Sequence, residues 1–174
     1  IGMADALSEL KLTAEQRDYV MTIKKSADLL LTILNDILDL SKIEAGKMVL
    51  EEIPFSLSQE IKIVRDLFKV PIEDKKLKLE IDIEQNLPDK FIGDPFRLRQ
   101  ILNNLLNNAI KFTHEGKILI SIKKVEEYDR NLILQFKVAD TGIGIPKDKL
   151  GLIFKSFSQV DNSTTRQYGG TGLG

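Results

Sequence analysis

Apolar positions change period along the chain, and each period predicts an element. In residues 20–44, Val20, Ile23, Ala27, Leu30, Leu34, Ile37, Ser41 and Glu44 repeat in alternating steps of three and four, apolar until the last two. Leu31, Ile33, Leu38 and Leu40 widen that stripe beyond a simple two-strand seam. The pattern predicts a long helix capped by Thr13, with Gln16 completing a capping box, and ending near Gly46. Residues 1–10 read as the tail of an earlier helix, and Lys11-Leu12-Thr13 as a short turn. A stripe this wide has two readings: a helical hairpin that pairs with a second copy in a four-helix bundle, or a helix packed on the rest of its own chain.

Past Gly46 the period shifts. Residues 48–55 read as an extended bridge. Residues 58–74 read as a helix with Ile61, Val64, Leu67 and Phe68 on its apolar side, and residues 77–83 alternate like a strand. Residues 94–113, DPFRLRQILNNLLNNAIKFT, carry Leu98, Ile101, Leu102, Leu105, Leu106, Ala109 and Ile110 on one helical stripe. Asp94 is a suitable N-cap, and Pro95 sits where its missing N–H costs nothing. Residues 117–125 and 132–138 are two further strands, with 126–131 as a polar hairpin turn. The expected fold is α/β (α+β): a helical hairpin over residues 1–47, then from 48 to 174 an α/β sandwich with helices on one face of a mixed sheet. The charge run at residues 73–76 reads as solvated surface.

Candidate chemistry begins on the polar face of the helix at 94–113. Arg97, Asn104, Asn108 and Lys111 line up opposite the apolar stripe. Asn103, Asn104, Asn107 and Asn108 each cost a helix several tenths of a kcal/mol against Ala, because the amide competes for the backbone. Either this is an Asn-rich surface, or amide oxygens one turn apart hold a hard cation such as magnesium, with Lys111 placed to meet phosphate. The strand at 132–138 then runs into Asp140-Thr-Gly142-Ile-Gly144-Ile145, and the chain closes on Gly170-Thr171-Gly172-Leu173-Gly174. Neither run matches the dinucleotide fingerprint or the phosphate loop ending in Lys-Ser/Thr.

In that order, these stretches resemble the ATP-binding half of bacterial sensor histidine kinases, and most of all those of the hybrid type. Residues 104–113 are similar to the asparagine box, Asp140 to Gly144 to the first glycine box, and Gly170 to Gly174 to the second. Residues 154–157, Phe-Lys-Ser-Phe, resemble the phenylalanine motif, and residues 41–47 resemble the end of the dimerisation hairpin. The resemblance implies roles. Asp140 accepts from the adenine amino group, or merely caps a strand end. Gly142 and Gly144 make room for the base, with Ile145 beside them. Asn108 with Asn104 holds magnesium, and Lys111 offsets phosphate charge. Phe112 lies beside the base or in the core. Residues 158–170 form a lid in which Arg166 reaches the terminal phosphate or stays solvated. Gly170, Thr171, Gly172, Leu173 and Gly174 open a helix N-terminus toward the phosphates.

The implied activity is transfer of the γ-phosphate of Mg-ATP to a hairpin histidine, for relay to a response regulator or receiver domain, within a homodimer. The family's acceptor lies on the first hairpin helix, in a motif that these residues do not contain. The single histidine, His114, reads as an ordinary loop residue. Autophosphorylation of this chain alone is therefore not expected, and the family's final helix and strand pair are expected to be missing after Gly174. Two other functions share the motifs: an ATPase of the gyrase, MutL or chaperone type, and a non-catalytic nucleotide-binding dimerisation module.

Composition narrows the classes further. A net charge of −1 gives no electrostatic case for nucleic acid. Zero cysteines exclude disulfides and fit a reducing compartment. No apolar run reaches the ~18 residues that span a bilayer, so no membrane contact is expected of these residues and the catalytic portion is expected to be cytoplasmic.

Overall fold

The computed structural model of the chain describes residues 2–129 and 131–151. They fall into two compact units, residues 2–49 in one and 50–150 in the other. In the first unit α1 (Gly2–Ser8) is joined by a short turn to α2 (Ala14–Glu44). The start of α2 is fixed as its sequence requires. The Thr13 hydroxyl accepts from the Gln16 N–H at 3.2 Å, and the Gln16 side chain accepts from the Thr13 N–H at 3.0 Å. Ala4 and Val20 are buried where the two helices meet, whereas Ile23, Leu30, Leu34 and Ile37 of the long stripe stand exposed.

The second unit is an α/β sandwich. The sheet runs β2 (Lys78–Ile83), β4 (Lys117–Tyr128), β5 (Asn131–Asp140), with β2 parallel to β4 and β4 antiparallel to β5. A parallel pair needs a crossover, and α4 (Pro95–Phe112) supplies it, lying with α3 (Leu57–Asp74) against the sheet. Val64 and Phe68 from α3, Leu102 and Leu106 from α4, and Ile118, Ile120 and Ile122 from β4 form one buried core. The ion pair of Arg99 with the buried Glu60, 2.8 Å apart, ties the two helices.

The structure corrects one expectation and refines two others. The turn is not 126–131: β4 continues to Tyr128 and β5 begins at Asn131, because the cross-strand ladder extends through a register shift between Lys124 and Glu126. Within the bridge, Ile53–Ser56 is a strand, β1, antiparallel to β3 (Lys90–Gly93), with the Phe55 and Phe91 rings 6.0 Å apart. On α4 only part of the apolar stripe is core: Leu102, Leu106, Ala109 and Ile110 are buried, and Ile101 and Leu105 are exposed. Seven apolar positions span a wider arc than one sheet face can cover.

Candidate functional site

The asparagine-bearing helix begins at a built N-terminus. Asp94 Oδ1 accepts from the Arg97 N–H at 3.0 Å, and Oδ2 accepts from the Glu51 N–H at 3.2 Å. These bonds, the Arg97 amide first, hold the Asp94 carboxyl below its ordinary range. Asp89 is lowered in the same way by the Ser58 amide and then the hydroxyls of Ser56 and Ser58. A carboxyl lowered by folding contributes stability above its unfolded value, and that contribution is lost as pH falls through the folded value. The second unit should therefore lose stability below about pH 4, and Asp94→Asn, which keeps a capping side chain but cannot titrate, should flatten that limb in denaturant midpoints measured against pH. An unchanged acid limb would remove Asp94 from the account.

Along α4, Asn104, Asn107 and Asn108 are exposed and Asn103 is half-buried, its Oδ1 enclosed without a hydrogen bond. Lys111 and Phe112 are half-buried, and the Lys111 ammonium lies 4.9 Å from the centroid of the Phe112 ring. That cation–π contact places both residues at the last turn, next to the loop that follows β5. Asn104, Asn108 and Lys111 thus share one face, a set of neutral amide oxygens beside a cation. That donor set fits magnesium held together with phosphate oxygens. Among the described residues there is no cluster of three His, Cys, Asp or Glu side chains that could hold a metal by itself.

The glycine turn after β5 docks on the end of this helix. The Ile143 N–H donates to the Phe112 carbonyl at 3.3 Å, and Asp140 Oδ1 accepts from the Gly142 N–H at 2.8 Å. A Cβ on Gly142 would overlap the Phe112 carbonyl oxygen and come within 2.9 Å of its carbon. Asp140 is exposed, with one carboxylate oxygen engaged in the turn. Gly144 has φ +70 with open space around it, and Ile143 and Ile145 are exposed. Phe112, Asp140 and Gly142 therefore come together, while Asn104, Asn108 and Lys111 extend along the helix from them. Arg166, Gly170, Thr171, Gly172, Leu173 and Gly174, with the lid and phenylalanine motif, lie outside the described residues.

Two supports were not anticipated. Thr141 Oγ1 accepts from the Lys117 N–H at 3.0 Å and donates to the Glu115 carbonyl at 3.2 Å, latching the turn to the start of β4. Gly116, at φ +107, leaves no room for a side chain beside that hydroxyl. The signal was present as a lone glycine before a strand, but its partner is distant in sequence. Lys75 is the second: it departs from the solvated reading of residues 73–76, which holds for the exposed Glu73, Asp74 and Lys76. The Lys75 ammonium donates to the Ile110 carbonyl at 2.6 Å and reaches those of Lys111 and Thr113 at 3.3 and 3.4 Å.

Residues 93–174 match the model of the histidine kinase-, DNA gyrase B-, and HSP90-like ATPase, and residues 1–46 match the His Kinase A (phospho-acceptor) domain. Together they take in most of the chain. In that order the two parts match sensor histidine kinases. The chain is 45% identical over its whole length to the signal transduction histidine-protein kinase BarA of Escherichia coli (strain K12). It is 46% identical to the hybrid signal transduction histidine kinase A of Dictyostelium discoideum, also over its whole length. The chain spans only 19% of BarA and 8% of the Dictyostelium kinase. Among solved structures, full-length ShkA in complex with AMPPNP is 33% identical and superposes with a TM-score of 0.77, covering 99% of this chain and 35% of that one. The histidine kinase ThkA in complex with the response regulator TrrA is 27% identical, with a TM-score of 0.59, covering 95% of this chain and 48% of that one.

Proposed function

We propose that the chain is the nucleotide-binding and dimer-scaffold portion of a sensor histidine kinase. It binds Mg-ATP and passes the γ-phosphate to a histidine on a dimerisation hairpin, for relay to an aspartate of a response regulator or receiver domain. Residues 1–47 belong to the homodimeric hairpin and 48–174 to the catalytic domain. The observation that supports the reading is the docking of the glycine turn on the last carbonyl of the asparagine helix, which sets Asp140 beside the end of the helix that carries Asn104, Asn108 and Lys111. The complex of ShkA with AMPPNP supports ATP as the nucleotide, and the complex of ThkA with TrrA supports a response regulator as the partner. Identity near 45% to histidine kinases over the whole chain weighs against a gyrase-type ATPase or a non-catalytic module.

The mechanism rests on positioning and charge. Asp140 Oδ1 is fixed by the Gly142 amide, which leaves the carboxylate aimed by its turn toward the adenine amino group; a guanine there meets a carbonyl instead and leaves two acceptors unpaired. Phe112 flanks the base. Asn104 and Asn108 would hold magnesium, whose charge screens the phosphates, and Lys111 adds a cation on the same side. By resemblance, Arg166 would meet the terminal phosphate, and Gly170, Thr171, Gly172, Leu173 and Gly174 would offer backbone N–H groups to the phosphates. Phosphoryl transfer asks for in-line placement and charge neutralisation more than covalent chemistry. His114 takes no part. The described residues contain no helix long and apolar enough to cross a membrane, and the reading puts this portion in the cytoplasm, where ATP and response regulators meet.

The test is phosphotransfer in trans: the chain, labelled ATP and a hairpin that carries the acceptor histidine. Label should reach that histidine, and Asn108→Ala should lower transfer at least about a hundredfold without changing the unfolding midpoint, as loss of a transition-state charge partner does. Nucleotide binding without transfer to any hairpin would favour the non-catalytic module.

A further inference from the structure

We propose that Lys75 is a positioning residue for the nucleotide site: it fixes the last turn of the asparagine helix and, through that turn, the glycine loop that carries Asp140. The inference rests on the nucleotide reading above and goes beyond it by assigning a role to a residue outside the recognised boxes.

The last four carbonyls of a helix have no partner within it, and the helix dipole leaves that end negative. In α4 each of the four is engaged. The Ala109 carbonyl accepts from the Thr113 N–H at 3.0 Å, and the Phe112 carbonyl accepts from the Ile143 N–H at 3.3 Å. Those of Ile110 and Lys111 accept from the Lys75 ammonium at 2.6 and 3.3 Å. One cation thus closes the helix end between the two backbone bonds, and neutralises partial negative charge beside the place where phosphates are to sit.

The backbone around Lys75 is itself set for this. Lys75 is the C-cap of α3, and Lys76 adopts φ 55, a left-handed conformation that a non-glycine residue holds only at some cost. The Leu77 N–H then returns to the Ile72 carbonyl at 3.0 Å, so the reversal delivers the Lys75 stem against α4. Movement of the helix end moves the Phe112 carbonyl, and the Ile143 amide and the close-packed Gly142 follow it.

The experiment is amide hydrogen exchange and AMPPNP-magnesium titration on the chain and on Lys75→Met and Lys75→Arg. In Lys75→Met the Thr113 and Ile143 amides should lose about ten- to a hundredfold of protection, the scale of hydrogen bonds to a charged group, while Ile120 and Ile122 in β4 keep theirs. The dissociation constant should rise at least about fivefold. Lys75→Arg, which keeps the cation, should stay closer to wild type in both readouts. Unchanged protection at Thr113 and Ile143 overturns the inference. So does loosened exchange with unchanged affinity, which makes Lys75 a helix cap alone, and so does an arginine variant no better than methionine. If Lys75→Met fails to fold, the arginine variant decides by the same measures. A wild-type chain that does not bind AMPPNP defeats the nucleotide reading, and the exchange result then reports separately on the clamp.

Discussion

Gly142→Ala is expected to lower the affinity for an ATP analogue about ten- to a hundredfold, the scale of a hydrogen bond to a charged group. The obstacle is main chain, not a flexible side chain. A methyl at this position overlaps the Phe112 carbonyl, and both it and the Asp140 carboxylate sit against the glycine. The turn must swing away from the helix end, taking Asp140 and the Ile143 hydrogen bond with it. Overpacking of this kind costs about 1–3 kcal/mol, so the unfolding midpoint should fall as well. Gly144→Ala is the internal control. It meets nothing within 4 Å of its own chain, and only its φ of +70 is strained, so it should cost about 1 kcal/mol of stability and leave the Ile143 hydrogen bond in place. Equal behaviour of the two variants would mean that close docking on Phe112 does not matter.

The second large effect concerns assembly. Replacing Ile23, Leu30 and Ile37 with serine should convert a dimer into monomers by light scattering, with far-UV circular dichroism unchanged. All three side chains are exposed on α2, Leu30 at 67%, so their removal leaves the hairpin's own packing alone. In a bundle of two copies each buried aliphatic contributes about 1.5–3 kcal/mol, and the total removed rivals the ~8 kcal/mol of a micromolar complex. A starting chain that is already monomeric would sink the bundle reading for these residues.

Sequence and structure agree where short-range chemistry decides. The capping box of Thr13 and Gln16, the Asp94 cap with Pro95 behind it, and the alternation of Ile118, Ile120 and Ile122 each declare their element within a few residues. The glycine turn was legible because an Asp-x-Gly-x-Gly after a strand has few uses. What escaped depends on partners far along the chain. Ile53–Ser56 is short and carries Pro54, so nothing in it announces a strand until Lys90–Gly93 lies alongside. The split of the α4 stripe into buried Leu102 and Leu106 and exposed Ile101 and Leu105 is set by the width of the sheet beneath, which periodicity does not encode. Lys75 looked like one lysine in a charged run. Its function in the fold comes from carbonyls 35 and more positions away.

The central claim is an adenine-selective, magnesium-dependent nucleotide site built from the asparagine helix and the glycine turn. Calorimetric titration of the chain with AMPPNP, with and without magnesium and beside the guanine analogue, tests it most directly. Binding should need magnesium and favour adenine by about a hundredfold or more, the discrimination available when a mismatched base leaves polar groups unpaired. Equal affinity for the two bases, or binding indifferent to magnesium, would contradict the roles given to Asp140 and to Asn104 and Asn108.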